Sequence, residues 1–334
     1  MAETKRRATG RTPRDGAHHP PRAWTGEKRI GVSDMTDAVH IYHSLQTLAR
    51  RQGRATSELH TLYVLERFLE RLTRTPYRDD LVLKGGVLLA AFALRRPTRD
   101  IDMQALDVTL DEAYLRRVVE AVAAIDADDG VDFDAETARV TPIRDEDEYS
   151  GLRIRLTAHL HTARLFVHMD VSTGDPIWPE PQLVELPGLL GDDFMIVGYP
   201  VATVIAEKTI TMLQRGASNT RWRDYVDLRN LARRYPYRAG DVASAIAAVA
   251  THREVPLTSI SDAVRGYDAD AERKWAAWRS KTDIEEQSLP QLNDQLREII
   301  AFLEPIMLGQ LASEMHWNPE GQKWEPGAED PLCE

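Results

Sequence analysis

Apolar residues along this chain follow helical spacing in some stretches and strand spacing in others. From Leu59 to Leu72 they recur at intervals of three and four residues, which predicts an amphipathic helix over residues 57 to 72. Thr56 or Ser57 is the expected N-cap of this helix. In residues 151–159, apolar and polar side chains alternate, which is typical of a half-buried strand.

The same patterns divide the rest of the chain into two parts. Before residue 200 they predict further strands at 81–84, 99–105, 138–145, 163–171 and 193–197, with helices near 37, at 87–95 and at 111–125, and a loop region over 172–200. After Pro200 they predict only helices, at 201–214, 219–234, 239–251, 268–281 and 288–312.

These elements indicate an α/β (α+β) fold: a mixed sheet with flanking helices, followed by a C-terminal helical bundle. The expected organisation is a disordered, basic N-terminal tail (1–35), an α/β core (36–196), a helical domain (197–312) and a C-terminal tail (313–334).

Composition limits the function only loosely. The chain has 334 residues, a net charge of -11 and one cysteine, Cys333. The acidic balance argues against a general nucleic-acid coat protein. The lone cysteine fits the reducing cytoplasm, and the sequence has neither an apolar run that would span a membrane nor a signal peptide. We therefore expect a cytoplasmic globular protein.

Two carboxylates on one strand are the first candidate for chemistry. Asp100 and Asp102 project to the same face, where two like charges about 5 Å apart repel by roughly 3 kcal/mol at an effective dielectric constant near 20. A divalent cation such as Mg²⁺ would offset that repulsion. Gly85 and Gly86, between a strand and a helix, would let a phosphate approach the backbone. Asp170, at the end of an apolar strand, is the best third ligand.

Each of these features also has a purely structural interpretation. A pair of glycines is a common turn, and Asp-x-Asp is often a solvated strand end. For the nearby strands, a half-buried and satisfied His168 and solvated Arg153 and Arg155 are the favoured interpretations. The ordered combination of glycine turn and carboxylates is rarer by chance than either feature alone.

Three sequence motifs resemble one known family. "KGG" followed by "RPTRDID" is similar to the first motif of the AbiEii family, a branch of the DNA polymerase β-like nucleotidyltransferase superfamily that includes the MenT toxins. "VIAEKTITML", with Lys208, and "RWRDYVDL", with Asp224 and Asp227, resemble its later motifs. The resemblance spans residues 40–250. It departs at Val87, because the family usually has Ser or Thr after the glycines.

The resemblance implies a role for each motif residue. Asp100, Asp102 and Asp170 would bind Mg²⁺ and act in catalysis together with Lys208 and Asp227. The residues implied in nucleotide binding are Lys84, Gly85, Gly86, Lys208 and Asp224. Asp227 would either orient Lys208 or act on the substrate hydroxyl, and the sequence does not choose between the two.

An arginine-rich helix with interleaved aromatic residues is the predicted RNA-binding segment. Its candidate residues are Arg215, Arg221, Trp222, Arg223 and Arg229. An exposed helix carrying surface charges explains the same pattern equally well. Trp275 and Trp278, three residues apart, are expected to pack a helix onto the core.

The resemblance implies a Mg²⁺-dependent toxin that transfers NMP from a nucleoside triphosphate to the 3′ end of tRNA and is restrained by an AbiEi-like antitoxin. Two alternatives remain open on the sequence. The acceptor could be a protein or small-molecule hydroxyl, or the chain could be a catalytically silent nucleotide-binding relative, for which Val87 is the only hint.

Overall fold

The structure is a computed structural model that describes residues 38–143 and 151–327. The predicted basic tail (1–35) lies outside these residues, as do the last residues of the strand predicted at 138–145 and of the tail predicted at 313–334.

A seven-stranded mixed sheet forms the centre of the N-terminal half. Its strands are β1 (Leu81–Lys84), β2 (Ile101–Ala105), β3 (Val131–Pro142), β4 (Gly151–Leu160), β5 (Ala163–Ser172), β6 (Gln182–Leu186) and β7 (Phe194–Gly198). Their spatial order is β3-β4-β5-β2-β1-β7-β6. The β2–β5 and β1–β7 pairs are parallel and the other pairs are antiparallel. The predicted α/β fold class is therefore confirmed.

Helices make up most of the remaining regular structure. Those in the described ranges are α1 (Ala38–Gln52), α2 (Thr56–Leu72), α3 (Gly85–Leu88), α4 (Glu112–Ala123), α5 (Val201–Arg215), α6 (Trp222–Arg234), α7 (Ala239–His252), α8 (Ile260–Ala263), α9 (Ala269–Lys281) and α10 (Leu292–Met307). Over the same ranges, none of them combines the length and the apolar character that crossing a bilayer requires.

Helix ends follow local chemistry in one case and depart from it in another. The Asp111 side chain accepts a hydrogen bond from the Tyr114 backbone N–H and caps α4, at the start of the helix predicted over 111–125. The prediction of a Thr56 or Ser57 cap for α2 is wrong, because both residues are helical and Ala55 occupies the cap position without a side-chain bond. Packing of the apolar face therefore stabilises the start of α2 without a polar cap.

Helices α2 and α4 cover one face of the sheet at its β3–β4–β5 end. Phe68 of α2 and Phe133 of β3, with ring centroids 5.5 Å apart, are part of this packing. Leu156 of β4 and Val167 of β5 are buried on the same side. The opposite face of these strands carries the charged side chains that form the candidate site.

Several short elements differ from the sequence prediction. β6 lies inside the segment predicted as a loop, and the helix predicted at 87–95 is only the single turn of α3, followed by turns. β3 begins earlier than predicted and contains an irregularity between Asp134 and Arg139. The short β6 was missed because Pro, Gly and Asp residues surround it and favour a loop.

The predicted C-terminal tail is wrong for residues 316–325. They form β9 (His316–Asn318) and β10 (Lys323–Glu325), which join β8 (Tyr237–Arg238) in a second sheet. Trp317 is only 2% exposed, and its indole N–H donates to the Ala232 carbonyl. Apolar burial and this hydrogen bond fix the hairpin to α6.

Candidate active site

Charged side chains lie in a row across four neighbouring strands. Lys84 at the end of β1 lies opposite Asp102 of β2. Asp102 in turn lies opposite Asp170 of β5, and Asp170 lies opposite Arg153 of β4. Because register partners project to the same face, these four side chains form one line, which we call the charged row. The sheet therefore brings together two of the three aspartates that the sequence singled out.

Two glycines next to the charged row allow close packing. Gly85 has a φ of +68°, and a Cβ there would lie 2.6 Å from the Asp102 Cγ and closer still to its Oδ2. A Cβ on Gly86 would lie 2.5 Å from the Thr98 Oγ1 and 3.1 Å from the Arg96 Nη1. The backbone of the glycine turn is thus pressed against the carboxylate and the "RPTRDID" segment. Only glycine fits at either position.

The environment of Asp102 is electrostatically unbalanced. The pKa of Asp102 is raised to about 6, mainly by burial and secondly by the neighbouring Asp100. Asp170 makes a further contribution in the same direction. Lys84 and Arg96 act in the opposite direction but do not cancel the effect. Hard carboxylate oxygens under mutual repulsion are the donors that fit a divalent cation such as Mg²⁺. Asp100 and Asp102 are donors of this kind and therefore fit a divalent cation.

Asp170 is engaged differently from what the sequence suggested. The Arg153 guanidinium donates to both of its carboxylate oxygens, from Nε at 2.7 Å and from Nη2 at 2.6 Å. Among residues 38–143 and 151–327, no three acidic, histidine or cysteine side chains are arranged to bind a metal together. The favoured interpretation of Arg153 as merely solvated was wrong. Arg153 therefore competes with a cation for the oxygens of Asp170.

A second charged cluster joins α5 to α6. The Lys208 ammonium donates to the Asp224 Oδ1 at 2.6 Å and to the Asp227 Oδ2 at 2.8 Å. Arg96, from the segment before β2, donates to Asp227 through Nε at 3.1 Å and Nη2 at 3.3 Å. Arg221 lies 2.9 Å from the other oxygen of Asp224. Both aspartates are thus held by two cations each.

The pKa values in this cluster favour its charged form. Burial lowers the pKa of Lys208, but Asp224 and Asp227 outweigh it and hold that pKa above its ordinary value. Burial raises the pKa of Asp224, but Lys208 and Arg221 reverse the sign and lower it. Lys208 is therefore a fixed, protonated point charge. The 3% exposure of Asp227 and its two cationic partners favour orientation of Lys208 over direct contact with a hydroxyl.

Lys84 has acidic neighbours that sequence reasoning missed. Its ammonium lies 3.6 Å from the Glu207 Oε1 and 3.9 Å from the Asp175 Oδ2. Arg253 donates to both oxygens of Asp175. Glu207, an acid directly before Lys208 in an apolar helix, was visible in the sequence. Nothing in the local sequence marks Asp175, which lies in a loop.

A family model and two solved structures match this chain. The family model described as nucleotidyl transferase AbiEii toxin, Type IV toxin–antitoxin system, matches residues 67–301, more than half of the chain. The chain belongs to the AbiEii family. The match contains the charged row, the glycine turn and the Lys208 cluster. This AbiEii protein is therefore a nucleotidyltransferase toxin, and its family implies a nucleoside triphosphate substrate and an antitoxin partner.

Two solved structures from Helicobacter pylori are similar to this AbiEii protein. One, described as a candidate nucleotidyltransferase, is 19% identical over 75% of this chain and 98% of its own, with a TM-score of 0.43. The other, JHP933, is 18% identical over 77% of this chain and 97% of its own, with a TM-score of 0.42. No curated protein matches the sequence.

Only some residues of the predicted RNA-binding segment of this AbiEii protein are exposed and could contact RNA. Trp222 is 6% exposed and packs against Tyr267 and Trp275, so the prediction that it stacks on a base is wrong. The Arg229 guanidinium donates to Glu298 at 2.7 Å, which ties it to α10. The remaining candidates, Arg215, Arg221 and Arg223, lie at or near the surface. The expected packing of Trp275 and Trp278 onto the core is confirmed.

The amphipathic character of α6 explains this outcome. Its aromatic residues point inward because they carry the largest apolar area of the helix. Burial, and next the like charge of Arg96, lower the pKa of Arg223, while Asp100 and Asp227 act in the opposite direction. The outer part of α6 therefore adds positive charge beside the aspartates.

Proposed function

We propose that this AbiEii protein uses Mg²⁺ to transfer NMP from a nucleoside triphosphate to the 3′ hydroxyl at the acceptor end of tRNA. Occupation of that hydroxyl blocks aminoacylation and stops translation, and a cognate AbiEi-like antitoxin relieves the block. The observation that carries the proposal is the charged row, where Asp102 lies against the glycine turn and beside Asp170.

Asp100 and Asp102 are the residues that would hold Mg²⁺, because their oxygens meet the fit described above. Asp170 would join them once Arg153 has released it. When bound, the ion neutralises charge on the triphosphate and on the attacking and leaving oxygens. The chain's own groups perform the remaining tasks.

Cationic side chains surround the place where the triphosphate would lie. Lys208, fixed by Asp224 and Asp227, presents a permanent positive charge. Lys84 and the amides of Gly85 and Gly86 adjoin Asp102 in the charged row. Fixed donors of this kind stabilise developing negative charge without reorganisation during the reaction. Nucleotide binding by Lys84, Gly85, Gly86, Lys208 and Asp224 is therefore part of the proposal, with Asp224 acting through Lys208.

The bond changes follow from the reaction type. The oxygen of the acceptor hydroxyl forms a bond to the α-phosphorus, the bond from that phosphorus to the β-phosphate bridge breaks, and pyrophosphate leaves. The hydroxyl proton passes to a carboxylate at the charged row or to water. Asp170, which lies beside Asp102 in the charged row, is the carboxylate that would accept the proton.

Incubation with each α-labelled nucleoside triphosphate, Mg²⁺ and total tRNA tests the proposal. Label should appear on tRNA, should be lost after removal of the 3′-terminal nucleotide, and should require Mg²⁺. Label only on protein or on a small molecule would contradict the acceptor. No label on any acceptor, with intact triphosphate binding, would contradict transfer itself. Since both the nucleotide and the acceptor are present in the cytoplasm, we place the protein there.

A further inference from the structure

One face of the sheet at its β3–β4–β5 end carries exposed charged side chains. The helices that pack on these strands, α2 and α4, lie on the other side. We call the charged side the open sheet face. It carries Arg139, Arg153, Arg155, His159, Arg164, Phe166 and His168.

Basic side chains are clustered on the open sheet face. Arg155 is the register partner of Arg139 on one side and of His168 on the other. The like charges of Arg139 and Arg155 lie directly opposite one another, which is destabilising, and a bound anion would offset their repulsion. The acids of β3 on this side, Asp132 and Asp134, lie in other register rows. Burial, and next Arg155 and Arg153, lower the pKa of His168, so the row presents two guanidinium charges beside a neutral imidazole. Two guanidinium groups and an imidazole in one row are suited to a phosphate.

An aromatic ring lies beside the basic row. Phe166 is 38% exposed, although the other large apolar side chains of β5 are buried or half-buried. The Arg155 Cζ lies 3.8 Å from its ring centroid, and the Arg164 Cζ lies 5.6 Å from it. A phenyl ring and a guanidinium are the two kinds of protein surface on which unpaired bases stack.

The open sheet face continues directly into the charged row. Arg153 belongs to both, because it holds Asp170 and lies two residues from Arg155 on the same strand. Two residues of strand correspond to roughly 7 Å. His168 lies at the same distance along β5 from Asp170. A strand of nucleic acid on this face would thus end at the proposed catalytic aspartates.

We propose that the open sheet face binds the single-stranded 3′ end of the RNA acceptor, with Phe166 and Arg155 stacking on bases and the basic row contacting phosphates. This inference rests on the proposed function, since it names the surface that delivers the acceptor hydroxyl. It replaces α6 as the main RNA surface. A single strand is specified because a ring on a flat sheet can stack only on a base that is unpaired.

Binding of a 5′-fluorescein-labelled single-stranded RNA oligonucleotide, measured by anisotropy without nucleotide, tests the proposal. Phe166→Leu, which keeps an apolar side chain but removes the ring, should raise Kd by about tenfold. Phe166→Trp, which keeps an aromatic ring, should bind the RNA about as tightly as the wild type. The same RNA annealed to its complement should bind the wild type more weakly and should be insensitive to Phe166→Leu.

The salt dependence separates stacking from charge. Arg155→Ala should lower the slope of log Kd against log salt concentration by about 0.7, the value for one phosphate contact to a single strand. Phe166→Leu should weaken binding without changing that slope. Arg273→Ala, which removes another exposed arginine, from α9, is the control and should change Kd by less than twofold. Binding of labelled triphosphate should be unchanged in all variants.

The outcomes distinguish this inference from the proposed function. If wild-type protein labels tRNA and both face variants bind RNA normally, the RNA surface lies elsewhere and the inference fails. If the variants lose RNA binding but the wild type transfers nothing to RNA, the surface stands and the proposed reaction fails. Loss of antitoxin neutralisation with normal RNA binding would assign the face to the protein partner and overturn the inference.

Discussion

At the scale of single residues, the glycine turn is defined by what lies against it. Gly85 has positive φ and faces the Asp102 carboxylate with no room for a methyl group. The glycine therefore has a packing role in addition to any contact with phosphate. A side chain at this position would displace the carboxylate that the proposed chemistry needs.

Gly85→Ala should destabilise the protein more than the backbone strain alone explains, and should abolish nucleotidyl transfer. Alanine at positive φ costs about 1–2 kcal/mol, and the clash with Asp102 adds to this. Gly53→Ala is the matched control, because Gly53 has a φ of +63° and no atom within 4 Å of the added Cβ. Urea unfolding of both variants checks the difference. Equal destabilisation would show that Asp102 does not confine the turn.

The sequence predicts part of this residue-scale picture. Alternation along one strand predicts that Asp100 and Asp102 share a face. The strand begins only at Ile101, so Asp100 lies just before β2, where its charge still raises the pKa of Asp102. The sequence does not predict that Arg153 is the cross-strand partner of Asp170, because register depends on the whole sheet. Long-range partners such as Asp175 and Glu207 around Lys84 were missed for the same reason.

At the scale of elements, charged side chains link α5 to α6. Lys208 of α5 contacts both Asp224 and Asp227 of α6. The sequence predicts this contact only through the spacing of the two motifs in the family. Burial of Trp222 and Tyr225 shows that the apolar side of α6 faces inward, which the arginine-rich sequence concealed.

Asp227→Asn should destabilise the protein by about 3 kcal/mol, because it leaves the buried Lys208 and Arg96 with one carboxylate fewer. Transfer should also fall, since Lys208 loses an anchor. Asp262→Asn, at an exposed ion pair with Arg265, is the control and should cost about 0.5 kcal/mol or less. Chemical denaturation measures both. Asp227→Asn with the stability of wild type would contradict a structural role for this cluster.

At the scale of the whole molecule, one hydrophobic cluster runs through both halves. It includes Leu83 of β1, Ile205 of α5, Phe302 of α10 and Trp317 of β9. Predicted domain boundaries at residues 196 and 312 follow changes in composition, but packing continues across them. The hairpin of β9 and β10 was not predicted, because most of its residues are polar. Its two tryptophans become buried or half-buried only in the fold.

Global charge is a poor guide to the partner. The net charge of -11 argues against a general nucleic-acid coat protein, yet the open sheet face carries several exposed arginines. Only the sheet register assembles Arg139, Arg155 and His168 into one row. Binding surfaces made from several strands are therefore the feature least accessible to the sequence alone.

The most direct test of the account is the rate of NMP transfer by Asp102→Asn, measured beside Asp107→Asn, which makes the same change at an exposed position just beyond β2. Both proteins should fold as the wild type does. Asp107→Asn should transfer within twofold of the wild-type rate, and Asp102→Asn should be at least about 100-fold slower, as expected when a central electrostatic group is lost. Transfer by Asp102→Asn at the wild-type rate would contradict an active centre at the charged row.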